Sequence, residues 1–227
     1  MVKKKGEKIL KISFEDIRRN PAVNAYIKKA DESLTALGYT EHSFAHVTKV
    51  ATTAAEILRV LGHSDEEVEL VKIAGYLHDI GNIVNRVDHA QSGAVMAFRL
   101  LDNMGADPED TATIITAIGN HDEATAFPVN SVAAALIIAD KTDVRRSRVR
   151  NQSLQSFDIH DRVNYSVTRS DVHITKEDIC LDITIEDEMC TVLEYFEIFL
   201  GRMLLCKKAA EALGVRFSLI INGQTMM

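Results

Sequence analysis

Four histidines and two aspartates occupy positions in this chain where a buried apolar side chain is expected. They lie in five helical segments, and the residues three, four or seven positions away are mostly apolar. Each ionisable side chain therefore shares the core-facing side of its helix. Burying a carboxylate without a partner costs several kcal/mol. Such a core is very unfavourable unless the six groups converge. The six residues are His46, His78, Asp79, His89, His121 and Asp140.

Convergence on two divalent cations would satisfy all of these groups. Imidazole and carboxylate donors together suit Fe, Mn, Zn, Co or Ni, whereas an all-oxygen set would indicate Mg or Ca. Two ions roughly 3.5–4 Å apart need a carboxylate between them, and Asp79, next to His78 at a helix end, is the natural bridge. Such a pair of ions serves hydrolysis at phosphorus, because it lowers the pKa of a water molecule and neutralises phosphoryl charge. We therefore expect His78 and Asp79 to be catalytic.

Two alternatives remain open at this point. If His89 and His121 are ordinary core or substrate-facing histidines, the site holds one ion instead of two. The position of Asp140 on the core-facing side of its helix could also be explained by a buried ion pair with Lys141 or an arginine.

Basic residues follow Asp140 directly, and Lys141 and Arg145 are the preferred candidates for binding a substrate phosphate. The alternative is a solvated basic face that complements the C-terminus of the helix. Asn82, just past the His-Asp pair, and His42, one turn before the first histidine of the set, are further candidates for contact with substrate.

The elements that would position these groups are helical up to about residue 150. The apolar period and the stops at Gly38 and Gly62 are typical of amphipathic helices. The predicted helices are Pro21 to Ala36, Ser43 to Leu61, Ser64 to the His-Asp pair, Asp88 to Met104, Pro108 to Ile118, and Ser131 to Arg148.

After about residue 155 the apolar period becomes two, which predicts strands at Val163–Val167 and Ile179–Ile185. A long helix from Asp187 to Leu213 and a final strand at Arg216–Ile221 follow. The predicted fold class is mainly α. We expect an N-terminal extension over 1–20, a helical domain over 21–155 and a small α+β unit over 156–227.

Composition narrows the class of protein. The 227 residues are 46% hydrophobic and 26% charged, with a net charge of −7, which disfavours binding to a nucleic-acid polymer. The three cysteines show no C-x-x-C spacing and are predicted to be reduced thiols. The lysine-rich start is not followed by an apolar segment, and no stretch reaches the roughly 18 apolar residues of a membrane span. We expect a cytoplasmic protein.

The order of these motifs resembles the H…HD…D signature of the HD-domain phosphohydrolase superfamily over residues 40–150. The intervening histidines resemble the extra pair of its binuclear members. The resemblance to the superfamily implies an all-helical HD bundle. By this resemblance one ion takes His46, His78, Asp79 and Asp140, and the other takes Asp79, His89 and His121. The matching segments are His46-Val47-Thr48-Lys49-Val50-Ala51, His78-Asp79-Ile80-Gly81, His89-Ala90-Gln91-Ser92-Gly93-Ala94, Asn120-His121-Asp122 and Ala139-Asp140-Lys141.

The expected function is hydrolysis of a small phosphorylated metabolite, most simply a nucleotide, as a phosphomonoester or phosphodiester. No GYP motif follows Asn120-His121-Asp122-Glu123, which disfavours cyclic-di-GMP as the substrate. A non-catalytic nucleotide-sensing module and a di-iron oxygenase are the alternative functions. The strands of the C-terminal unit would leave sheet edges exposed, so we expect a homodimer formed through that unit.

Overall fold

The helices of the protein surround one central helix. A computed structural model describes residues 12–151 and 157–227. The α-helices are α1 Phe14–Arg19, α2 Pro21–Ala36, α3 Phe44–Val60, α4 Asp65–Leu77, α5 His89–Asn103, α6 Pro108–Gly119, α7 Ser131–Lys141, α8 Ile159–Ser166 and α9 Val192–Ala212. Short 3-10 turns cover Ile80–Ile83 and Arg146–Arg148.

Local sequence fixes where several helices begin. Ser64 and Glu67 form a reciprocal capping box at the start of α4, the helix that leads to the His-Asp pair. Asn20 caps α2, with Pro21 at its first position, and Asn130 caps α7.

Helix α7 is the centre of the core, because every residue from Val132 to Ala139 is buried. It packs against α3, α4, α6 and α9. An apolar helix of this kind is stable only when it is covered on all sides. Any polar group near its end is therefore also held inside the protein.

The C-terminal unit contains a four-stranded sheet of order β1-β2-β3-β4, with strands Val167–Ile174, Asp178–Ile185, Arg216–Ile221 and Gln224–Thr225. The pair β1 and β2 is an antiparallel hairpin, whereas β2 and β3 are parallel and joined through α9. Helix α9 packs against both α7 and β3, so the sheet is attached to the helical core through α9. The predicted fold class, a mainly α protein with a small α+β unit, is confirmed.

Three elements differ from the prediction. Val163 and Tyr165 lie in helix α8, not in a strand, because Asp158 caps this segment as a helix and β1 begins only at Val167. The helix predicted to reach Arg148 ends at Lys141, where the chain turns. The predicted N-terminal extension contains α1, whose Ile17 is fully buried in the core.

The structure leaves other expectations untested. The predicted boundary at residues 155–156 and the lysine-rich start lie outside the described residues. Homodimerisation through the C-terminal unit stays a prediction. Within 12–151 and 157–227, no helix has both the length and the apolar character needed to cross a bilayer.

Gly81 follows the His-Asp pair and lies where two backbone segments touch. A Cβ at this position would overlap the carbonyl oxygen of His89 and the backbone nitrogen of Gly93. We predict that Gly81→Ala lowers the free energy of unfolding by about 1–3 kcal/mol, because backbone atoms must move apart. Urea denaturation would measure the loss.

Gly201→Ala is the matched control. Gly201 is inside α9 and nothing lies within 4 Å of an added Cβ. Alanine there should leave the free energy of unfolding unchanged or raise it by up to about 1 kcal/mol. Equal stability of the two variants would contradict the close approach at Gly81.

Candidate metal centre

Close backbone contacts bring the predicted ligands together. Gly75 lets α4 approach α3 until a Cβ at this glycine would lie 2.8 Å from the Cα of Ala51. As a result the rings of His46 and His78, one on each helix, have centroids 5.2 Å apart. The contact at Gly81 similarly brings the start of α5, which begins at His89, against the His-Asp turn.

The first group of ligand atoms comes from α3, α7 and the end of α4. Donor atoms of His46, His78 and Asp140 all lie within 4.8 Å of one another. The Nε2 of His46 is 3.3 Å from Oδ1 of Asp140, and the Nε2 of His78 is 3.6 Å from the same oxygen. Donors bound at about 2.0–2.2 Å to a common ion are separated by roughly this distance.

Asp79 belongs to this group and also to a second one. Its Oδ2 is 3.1 Å from Nε2 of His78 and 3.5 Å from Nε2 of His46. Its Oδ1 faces the other way, 3.6 Å from Nε2 of His89, which is itself 3.2 Å from Nε2 of His121. One carboxylate thus has its two oxygens in two sets of imidazoles, as a bridge between two ions requires.

The tautomer of each histidine can be assigned from its other ring nitrogen. The Nδ1 atoms of His78, His89 and His121 contact the backbone carbonyls of Gly75, Arg86 and Ile118 at 2.7, 3.1 and 2.6 Å. A carbonyl can only accept, so each Nδ1 carries the proton and each Nε2 presents a lone pair. These lone pairs point into the shared centre.

The centre contains acceptors that no donor satisfies. Among the described residues, Nε2 of His46, Nε2 of His78 and Oδ2 of Asp79 are buried and accept no hydrogen bond. Acceptors in such close contact repel one another, and leaving them buried is costly. A divalent cation removes both penalties, so the residues fit a metal centre.

The electrostatics agree with this interpretation. Burial alone would lower the pKa of His78, but Asp79 and Asp140 outweigh it and raise that pKa above its usual range. Burial would raise the pKa of Asp79, but His78 and His42 hold it well below its usual value. A positive charge is therefore favoured between these groups. Burial lowers the pKa of His89 and His121, which keeps both imidazoles neutral, as metal ligands must be.

Asp143 was not among the predicted site residues, although it orients one of the ligands. Its fully buried carboxylate accepts a hydrogen bond of 2.8 Å from Nδ1 of His46, which directs the Nε2 of that ring to the centre. Lys49, Arg145 and Arg148 lie 3.1, 2.9 and 3.7 Å from the same carboxylate. The feature of the sequence that could have identified Asp143 is its spacing of three residues from Asp140.

The predicted substrate-binding residues are not all in one place. Lys141 and His42 line a cavity of about 470 Å³ that also reaches Asp79, His89, His121 and Asp140. Arg145 does not line it, because the helix ends at Lys141 and the guanidinium is bonded to Asp143 and paired with Glu41. Asn82 does not line it either; its Nδ2 donates to the backbone O and to Oδ1 of Asp79, both at 2.9 Å.

The sequence did not predict the contribution of the C-terminal unit to this cavity. His160, to which no role was assigned, lines it together with Asp161 and Asn164 of α8. Phe199 and Arg202 of α9 complete the same wall. The residues of α8 were missed because part of that segment was interpreted as a strand. The cavity therefore lies between the helical core and the C-terminal unit.

Comparison with known proteins identifies the family. The model of the HD domain matches residues 43–158, about half of the chain. The chain therefore belongs to the HD-domain superfamily of metal-dependent phosphohydrolases.

Several relatives share part of the sequence. An uncharacterised protein of Methanocaldococcus jannaschii is 25% identical over 187 residues, which are 72% of this chain and 72% of that protein. Ribonuclease Y 1 of Pediococcus pentosaceus is 33% identical and ribonuclease Y of Enterococcus faecalis is 31% identical, each over 123 residues. The match covers 52% of this chain but 21% of each ribonuclease, so the chain corresponds to about a fifth of their length.

A solved structure also matches. It is a predicted HD superfamily hydrolase from an uncultured Thermotogales bacterium, with 26% identity and a TM-score of 0.42. The match covers 58% of this chain and 73% of that one.

The role of Asp143 leads to a prediction. Asp143→Asn should lower the affinity for a divalent metal by roughly 10–100-fold, because the hydrogen bond that orients His46 loses its charge. Competition with a chromophoric chelator would measure the affinity. The control Asp102→Asn removes an exposed carboxylate 3.9 Å from Arg99 and should leave it unchanged. Identical affinities of the two variants would show that Asp143 does not support the centre.

Proposed function

We propose that the protein hydrolyses a phosphate ester of a small nucleotide, using two divalent transition-metal ions. The observation that carries the proposal is Asp79, whose Oδ2 lies near His78 and whose Oδ1 lies near His89, beside a cavity that it helps to line. His46, His78, Asp79 and Asp140 would hold one ion, and Asp79, His89 and His121 the other. When bound, the ions would lower the pKa of a water molecule and neutralise charge on the phosphoryl oxygens.

The chain supplies cations for the substrate phosphate next to this centre. Lys141 is buried, lines the cavity and donates to Oδ2 of Asp140 at 2.5 Å. Arg86 lines the same cavity, donates to Oδ1 of Asn82 at 3.3 Å and lies over the ring of Tyr39 at 5.5 Å. A guanidinium held from behind in this way can present its remaining donors to a phosphate oxygen.

The size and charge of the cavity favour a small substrate. A volume of about 470 Å³ is in the range of sites for small ligands. Asp158, Asp161 and Glu123 also line it, and the chain carries a net charge of −7. Both features disfavour a polyanion. The similarity to ribonuclease Y nevertheless makes an RNA strand the alternative substrate to test.

The proposal can be tested on purified protein in two steps. Elemental analysis would identify the bound metal, and the loaded protein would then be assayed with nucleoside monophosphates, cyclic nucleotides and a short RNA. We expect turnover of a nucleotide. Cleavage of RNA alone would contradict the small-substrate proposal. Tight nucleotide binding without any turnover would indicate a sensor, and a product formed only in the presence of dioxygen would indicate an oxygenase.

Removing the His-Asp pair should abolish the activity. We predict that the double variant His78→Ala, Asp79→Ala retains no bound metal and loses turnover at least about 10³-fold, because Asp79 belongs to both groups of ligands and His78 to the first. Metal content, circular dichroism and rate would be measured on the same sample. Full activity in a folded double variant would refute the assignment.

The number of ions is tested separately. His121→Ala should reduce the metal content from two ions to one per chain, because His121 lies beside His89 and is not one of the donors grouped with His46 and Asp140. His63→Ala removes a half-buried histidine that pairs with Glu67 away from the cavity, and should keep both ions. An unchanged metal content in His121→Ala would contradict the second site.

A further inference from the structure

Helix α8 forms part of the wall of the cavity. The match to the HD domain ends at residue 158, and α8 begins at Ile159. His160, Asp161 and Asn164 of this helix nevertheless line the same cavity as the ligands of the centre. Helix α8 therefore lies just beyond the part of the chain that matches the HD-domain model.

The atoms that α8 offers are hydrogen-bond acceptors. Asn164 donates from its Nδ2 to the carbonyl of His160 at 2.9 Å, and its Oδ1 is an acceptor. Asp161 is buried, with 9% of its surface exposed. A carboxylate can only accept when it is ionised. Both side chains can therefore accept from N–H or O–H donors of a molecule in the cavity.

Asp161 has few side-chain partners among the described residues. Among the described residues, its carboxylate receives one side-chain hydrogen bond, from Nδ2 of Asn151 at 3.3 Å, and no cation pairs with it. Burial and the nearby carboxylate of Asp158 raise its pKa. A further donor from a ligand would stabilise this carboxylate. The same negative charge would repel a phosphate group at this wall.

We propose that α8 is the element that selects the substrate: Asp161 and Asn164 accept hydrogen bonds from the sugar hydroxyls or base N–H groups of a nucleotide whose phosphate lies at the metal centre. This inference depends on the proposed function. It predicts a substrate that carries its negative charge at one end and uncharged donors at the other. A nucleoside monophosphate or a cyclic mononucleotide satisfies this description, whereas a nucleotide with phosphates at both ends does not.

The test compares substrates with and without the donor-rich part. The kcat/KM of Asp161→Asn would be measured with nucleoside 5′-monophosphates and 3′,5′-cyclic nucleotides, and with p-nitrophenyl phosphate and bis(p-nitrophenyl) phosphate, which lack sugar and base. We expect the nucleotide value to fall roughly tenfold or more relative to the nitrophenyl value, mainly through KM. Asp171→Asn, on the exposed part of β1, is the matched control and should change neither value.

Binding gives a second readout that does not depend on turnover. Calorimetry with nucleosides, which have no phosphate, should show a Kd raised several-fold by Asp161→Asn and by Asn164→Ala. Comparison of ribo- and deoxyribonucleosides separates recognition of the 2′-hydroxyl from recognition of the base. Metal content would be measured for each variant to verify that the centre is intact.

The outcomes separate the two proposals. Wild-type protein that hydrolyses none of these esters would contradict the proposed function. Wild-type hydrolysis with equal losses on nucleotide and nitrophenyl substrates in Asp161→Asn, or with no loss on either, would overturn the role of α8 alone. Unchanged nucleoside binding in both variants would overturn it as well.

Discussion

The structure depends on a concentration of hydrogen-bond acceptors that only a cation can stabilise. The imidazoles of His78, His89 and His121 have their Nδ1 protons committed to backbone carbonyls, so the facing nitrogens all present lone pairs. The carboxylates of Asp79 and Asp140 add negative charge to the same volume. In a buried site this arrangement is strongly repulsive without a positive charge at its centre. Metal binding and the packing of the helices are therefore coupled, as in other sites built from buried ligands.

The fold holds these acceptors in place with rigid contacts on the outer side of each ligand. Asp143 fixes His46, and the cations of Lys49, Arg145 and Arg148 surround Asp143 in turn. Arg145 has no donor directed to the cavity because its charge compensates this buried carboxylate. A buried anion that is required to orient a ligand needs its own cations. This requirement explains why a basic cluster follows Asp140 although only part of it reaches the cavity.

The helices of the core could be predicted from the sequence because several local signals agreed for each helix. Caps, glycine stops and apolar periodicity located α2, α3, α5 and α6 to within a few residues. The same periodicity put the six ionisable groups inside, and the structure brings them together. The strand predicted at Val163 was wrong because alternation over five residues fits a short helix equally well. The cap at Asp158 makes this segment a helix. Which long side chains reach the cavity depended on turns after α7 that no local pattern encodes.

The C-terminal unit is connected to the metal centre by charge as well as by packing. Glu123 follows His121 by two residues; its carboxylate contacts Nε of Arg202 on α9 and lies 4.0 Å from Nζ of Lys141. Lys141 in turn contacts Asp140. The carboxylate of Glu123 thus links the loop after His121 to Lys141 and to helix α9. Because Lys141 and Arg202 both line the cavity, displacement of α9 would alter the charge next to the ligands and the shape of the cavity together.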